Sequence, residues 1–216
     1  MRRRHWVIPN PTYAPIQLDD ARPNGRRIVA VGRLVPQKGF DLLLAAFAQV
    51  ADRIPDWSLT IWGEGPERVR LEAQRDALGL RDRVALPGVT REHGGWLREA
   101  DIFILSSRFE GWGIVIGEAM AAGVPVISFD CRWGPGEMIS DGISGLLVPD
   151  GDIAALGEAI AALSADADQR LRLSEGARMA AQRFTIDRVL AQWERTAREA
   201  IAPPQTTIEQ VTAATI

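Results

Sequence analysis

Apolar residues fall into two rhythms along the chain. Short runs such as IVAV, SLTIW, DIFIL and VPVIS are apolar on nearly every position and rich in β-branched residues. Between them lie longer stretches in which apolar residues return every three or four positions. The first rhythm predicts strands buried on both faces, the second predicts amphipathic helices. RIVAVGR (27–33) reads as the first strand, and KGFDLLLAAFAQVADRIP as a helix carrying Leu43, Leu44, Phe47, Val50 and Ala51 on one side and closed by Pro55. SLTIWG is a second strand. PERVRLEAQRDALG is a second helix, with Pro66 in its first turn and Gly79 just beyond its end. RVALPG, DIFILSS, VPVISFD and SGLLVP complete the set of strands. A short helix around Gly95 to Glu99, one beginning near Gly113 and a single turn near Glu137 lie between them.

From Asp152 onward three helices are expected: IAALGEAIAALS, QRLRLSEGARMAAQR and TIDRVLAQWERTAREA. The last lines up Ile186, Val189, Leu190, Trp193 and Ala197 on one face. Alternating apolar strands and helices predict a Rossmann-like, doubly wound parallel sheet of about six strands with helices on both faces. Residues 1–26 are proline-rich at 8–26 and aperiodic, so they read as a linker. Residues 27–202 form the domain, and 203–216 read as a disordered tail.

Composition narrows the function. Of 216 residues, 46% are hydrophobic and 25% charged, with a net charge of −3, which gives no basic footprint for nucleic acid. MRRRHWVIPNP lacks the apolar core of a secretory signal, and no run approaches a transmembrane helix. The single Cys131 cannot form an internal disulfide, which fits a reducing cytoplasm.

Ligands of such sheets bind at the carboxyl ends of the strands, so candidate chemistry is sought there. The first strand ends in Gly32-Arg33, and Lys38 is read in the first turn of the following helix, where its charge opposes the helix dipole and calls for a functional reason. Gly63-Glu64-Gly65-Pro66 resembles the start of a dinucleotide fingerprint, but Arg68 stands where the third glycine belongs, so a tight turn is the better reading than a nicotinamide site. After the fourth strand comes EGWGIVIGE. Gly111 and Gly113 permit close approach of backbone to a ligand, and the helix beginning near Gly113 offers free N–H groups to a phosphate beside Arg33 and Lys38. Glu118, inside an almost wholly apolar helix, points back along that edge and can accept bonds from a vicinal diol such as ribose. Glu110, across the phosphates, can hold a second polyol. The plainer alternatives are a salt-bridged Glu118 on a solvated face and a Glu110 without a role. Trp112 either lines a sugar pocket or packs. Asp150-Gly151-Asp152 spells a metal-binding D-x-D, yet Asp152 is well placed to cap the next helix, and no metal is assigned.

GRLVPQKG, GEGP, ADIFILSSRFEGWGIVIGEAMAAGVPVISFD and DGISGLLVP occur in the order found in retaining glycosyltransferases of family 4, and the chain from about Val7 to Ile201 resembles the carboxyl-terminal half of those GT-B enzymes. The resemblance implies a nucleotide-sugar donor, UDP- rather than GDP-linked, and a hexose or N-acetylhexosamine transferred with retention in bacterial polysaccharide or glycoconjugate synthesis. Arg33 and Lys38 would hold the diphosphate and Glu110 the donor sugar; these three are the implied catalytic groups. Glu118 would hold the ribose, and Gly113, Ile114 and Val115 would offer amides to the terminal phosphate. Gly32, Gly111 and Trp112 would border the donor, and Val89 and Thr90 the nucleobase. No cofactor beyond the donor substrate is implied. The family's amino-terminal, acceptor-binding domain has no counterpart among these motifs, and neither His5 nor His93 sits in a motif that replaces that domain's histidine. The chain is therefore expected to need that domain, in the same polypeptide or as a separate subunit, to act on a glycan or lipid-linked acceptor, in the cytoplasm or at the inner face of the membrane. The alternative is a non-catalytic nucleotide-sugar-binding module or inactive fragment.

Overall fold

The computed structural model describes residues 6–12 and 25–201. The tail expected at 203–216, and residues 1–5 and 13–24 of the expected linker, lie outside the described residues. Six strands form one sheet: β1 (Arg27–Val31), β2 (Ser58–Trp62), β3 (Val84–Gly88), β4 (Ile102–Leu105), β5 (Val126–Phe129) and β6 (Leu146–Val148). Every pairing is parallel, in the order β3-β2-β1-β4-β5-β6. The helices are α1 (Phe40–Val50), α2 (Arg68–Ala77), α3 (Ile114–Ala121), the single-turn α4 (Pro135–Met138), α5 (Ile153–Ala165), α6 (Ala167–Ala181) and α7 (Ile186–Ile201).

The period-2 geometry of a strand sends its apolar residues to two separate cores. Ile28, Ala30, Ile102, Ile104, Ile127 and Phe129 pack on one face with Leu43, Leu44 and Phe47 of α1 and Leu156 and Ile160 of α5. Val29, Phe103, Leu105 and Val126 pack on the other face with Ile116 and Met120 of α3 and Ala177 of α6. Both faces are covered at β4 and β5 and over most of β1, so these central strands are legible as apolar runs, whereas β2 and β3 alternate between buried and more exposed positions.

The strand order fixes where chemistry can occur. The chain runs outward from β1 to β3 on one side, then returns to lay β4 beside β1 and runs outward again. At this reversal the loops after β1 and β4 leave in opposite directions and open a crevice.

Two details differ from the expectation. Lys38 does not lie in the first turn of a helix: it ends a separate 3-10 turn (Pro36–Lys38), and α1 starts after Gly39, which is left-handed at φ +61°. Opposition to the dipole of α1 therefore does not explain the lysine. The apolar face of α7 is also not a core face. Val189 is buried, but Ile186, Leu190 and Trp193 are more than half exposed, because no other described element lies over them.

Gly39 is a stringent position. Besides its positive φ, a Cβ there would fall inside the radius of the Ser106 carbonyl oxygen. Gly39→Ala should cost about 3 kcal/mol of stability, from left-handed strain together with overpacking, read from the urea midpoint; an unchanged midpoint would contradict this packing.

Candidate active site

The Pro36–Lys38 turn is stitched to the loop after β4. Arg108 donates through its backbone N–H to the Gln37 carbonyl at 2.8 Å, and its guanidinium pairs bidentately with Asp41 at 2.8 and 2.7 Å while also reaching the Pro36 carbonyl at 2.7 Å. Gln37 Nε2 donates to the Phe109 carbonyl and Ser106 Oγ to the Lys38 carbonyl, each at 2.9 Å. The Arg108 guanidinium holds the Asp41 carboxyl below the ordinary carboxylate value, so this clasp stays charged at neutral pH.

The clasp delivers Lys38 to Glu110. Lys38 Nζ lies 2.6 Å from Glu110 Oε1, and Ser107 Oγ donates to the same oxygen at 2.6 Å. Glu110 is only 7% exposed and the Lys38 side chain 16%. The stem of Lys38 crosses Gly32, where a Cβ would stand 3.2 Å from Lys38 Cδ, so a side chain at Gly32 would push the lysine aside. Lys38 and Glu110 are thus in direct contact, a pairing that the sequence reading did not include.

Around this pair lies an open cleft of about 540 Å³, lined by Asn10, Lys38, Glu110 and the run Gly111–Val115. Gly113, left-handed at φ +82°, precedes α3, so the first N–H groups of the helix have no intrahelical acceptor. A Cβ added at Gly111 would meet nothing within 4 Å, so the backbone there is open on that side to a close ligand. Trp112 does both things expected as alternatives. It lines the cleft and packs edge-on against Phe184 with ring centroids 5.4 Å apart. A second depression of about 380 Å³ is lined by Val31, Gly32, Arg33, Trp62, Gly63, Glu64, Val89 and Thr90. Gly32 joins the two, since it lines the second and underlies the lysine of the first. Arg33 and Val89 to Thr90 therefore share one depression, and Lys38 with Glu110 and the amino end of α3 share the other.

Glu118 lines neither depression. It is 6% exposed, one turn into α3, with Oε1 3.4 Å from His93 Nε2. Burial pushes its carboxyl above the ordinary value, and His93 draws it partly back. The solvated Glu118 of the plainer reading is not what the chain contains. Sequence reasoning missed three residues here. Asn10 reaches the cleft from the segment ahead of β1, whose Thr12 N–H donates to the Phe184 carbonyl at 2.7 Å. Ser107 meets Glu110 from only three positions before it, whereas His93 meets Glu118 through space, a contact that no local spacing announces. Gly63-Glu64-Gly65-Pro66 is a turn, as expected: Arg68 bonds Glu64 at 2.6 and 2.8 Å and the Gly63 carbonyl at 3.1 Å. Asp152 caps α5 by accepting from the Ala155 N–H at 2.9 Å.

The chain matches known proteins along most of its length. Residues 19–180 match the family described as glycosyl transferases group 1, and the chain belongs to that family. It is 38% identical over 82% of its length to an exopolysaccharide phosphotransferase of Streptomyces coelicolor, and 30% identical over 80% to the GtfA subunit of a UDP-N-acetylglucosamine–peptide N-acetylglucosaminyltransferase of Streptococcus gordonii. These matches span 19% and 35% of the two relatives' own lengths. Among solved structures, HepE of Anabaena in complex with UDP superposes with a TM-score of 0.75 at 27% identity, over 82% of this chain and 49% of that one. TarM of S. aureus superposes with a TM-score of 0.83 at 23% identity, over 88% and 38%, which identifies the fold as one Rossmann-like half of a GT-B glycosyltransferase. Among the described residues no helix is long and apolar enough to cross a membrane.

Proposed function

We propose that this chain is the donor-binding half of a retaining, family 4-type glycosyltransferase that takes a hexose or N-acetylhexosamine from a UDP-sugar. One observation carries the reading: Lys38, Glu110 and the open amino end of α3 line a single cleft at the strand-order reversal. An ammonium donates up to three protons, and Glu110 engages one, so Lys38 keeps donors for a diphosphate oxygen. Arg33, from the adjoining depression, supplies a second cation, and the amides following Gly113 supply uncharged donors. As the bond between the anomeric carbon and the diphosphate oxygen breaks, negative charge grows on that oxygen, and these groups stabilise it without reorganising. No metal ion has a step in this scheme. Glu110 holds donor-sugar hydroxyls, Glu118 the ribose, and Val89 and Thr90 border the base. UDP in the HepE structure supports the choice of nucleotide.

The acceptor is bound by further protein, either a domain of the same polypeptide or a second subunit; a 28%-identical match to the GtfA/B complex supports the second arrangement. The products feed polysaccharide or glycoconjugate synthesis on the cytoplasmic side of the membrane. Calorimetric titration of this chain should show binding of UDP in preference to GDP, with uridine alone much weaker, because the diphosphate supplies most of the contacts. Equal affinity for uridine and UDP would sink the reading. Retention is tested separately, by NMR of the anomeric proton in the product of the active assembly.

A further inference from the structure

The loop after β3 does more than border the depression containing Arg33. It begins with Val89 and Thr90 and ends in a short 3-10 helix, Gly95–Arg98. Trp96 and Leu97 of that helix are buried, and Trp96 stacks at 5.0 Å on Phe103 of β4. Inside the loop, Thr90 Oγ1 donates to the Glu92 carbonyl at 2.9 Å, the Gly95 N–H donates to the same carbonyl at 3.0 Å, and Arg98 clasps the Glu92 carboxylate at 2.8 and 3.0 Å. Gly94, at φ +73°, turns the chain between His93 and the helix. His93 is thus held by a braced loop, with its side chain 64% exposed and Nε2 3.4 Å from the buried Glu118 carboxylate.

A buried carboxylate beside one half-exposed imidazole is an uncommon arrangement, because an acid inside an apolar helix is costly unless something compensates it. His93 Nε2 stands 3.4 Å from Oε1 of Glu118, and a carboxylate offers about four acceptor positions, so one contact leaves acceptor capacity for a ligand. The imidazole comes from the loop that borders the base, whereas the acid comes from the helix that faces the phosphates.

We propose that His93 is a positioning residue that orients the Glu118 carboxylate toward the two hydroxyls of a nucleotide ribose, so that the loop after β3 and helix α3 recognise the ribose as one unit. This rests on the assignment of Glu118 to the ribose. His93 donates its Nε2 proton toward Oε1, fixes the carboxylate plane and leaves Oε2 for the sugar. In this arrangement the imidazole compensates the buried charge from the solvent side.

The test is calorimetric titration of this chain with UDP and with 2′-deoxy-UDP. The unsubstituted chain should prefer UDP by at least tenfold. In His93→Ala, UDP affinity should fall about tenfold with 2′-deoxy-UDP nearly unchanged, collapsing the preference. His93→Gln, whose amide offers a donor at comparable reach, should restore the preference to within about threefold. Both variants should remain folded, with His93→Ala melting slightly below the parent because Glu118 loses its compensating imidazole. An undiminished preference in His93→Ala overturns the proposal, and so does an equal loss for both nucleotides, which would place His93 on the base alone. If Glu118→Ala also keeps the full preference, the ribose assignment of Glu118 itself has failed; if Glu118→Ala loses the preference while His93→Ala keeps it, only the role of His93 has.

Discussion

Lys38→Ala should lower turnover of the active assembly by about 100- to 1,000-fold, the usual cost of removing one donor from a site where charge develops on a leaving oxygen. The same substitution should also destabilise the chain. It leaves Glu110, 7% exposed, without its cation. Removing one partner of a buried pair costs about 3–5 kcal/mol; because Lys38 retains some contact with water, about 2 kcal/mol is the expected loss here. The two effects can be separated. In Lys38→Met/Glu110→Gln the aliphatic stem over Gly32 remains and neither charge is stranded, so stability should return to near that of the parent while turnover stays low. The measurements are urea midpoints and steady-state turnover on the single and double variants. Near-normal turnover in Lys38→Ala would remove the lysine from the reaction. A double variant no more stable than Lys38→Ala would show that the pair is not energetically coupled.

That coupling also marks what the sequence could and could not disclose. The centre of the sheet was legible because its strands are covered on both faces, so Ile28–Ala30 and Ile102–Leu105 read as unbroken apolar runs and Val126–Phe129 is interrupted only by the buried Ser128. The cleft residues were legible as types: glycines with a helix start at Gly113, a lysine after Gly32-Arg33 and two acids in an apolar setting. Their mutual geometry was not. Lys38 and Glu110 are 72 residues apart, and only the placement of β4 beside β1, a consequence of strand order, puts them in contact. His93 was passed over because its significance depends on Glu118 being buried beneath it, a fact of tertiary packing. The apolar stripe on α7 misled for the opposite reason. Periodicity says that a face is apolar, but not whether anything in the same chain covers it.

Glu118→Gln should weaken UDP binding about 10- to 100-fold, since a hydrogen bond to a charged group is worth about 1.5–3 kcal/mol and each 1.4 kcal/mol is a factor of ten. It should at the same time raise the melting temperature at neutral pH. The sign follows from burial, which lifts the carboxyl above its ordinary value of 4.5, with His93 only partly opposing. A folded-state pKa above the unfolded one means that the folded chain favours the protonated acid. The associated stability is fully present below pH 4.5 and is lost as pH rises through the folded-state value, leaving the buried charge as a cost at neutral pH. Glutamine never incurs that cost, so the stability gain of the variant should be largest at neutral pH and vanish toward pH 4. Binding runs the other way. The ionised acid is the acceptor for ribose, so UDP affinity of the parent should fall on acidification, starting at a higher pH than an ordinary carboxylate would give, whereas the affinity of Glu118→Gln should lack that step. A carboxylate retained where a neutral isostere is more stable is what a ligand-binding role predicts. Were the melting temperature of Glu118→Gln to drop at neutral pH with UDP affinity unchanged, Glu118 would be a structural acid and the ribose would need another acceptor.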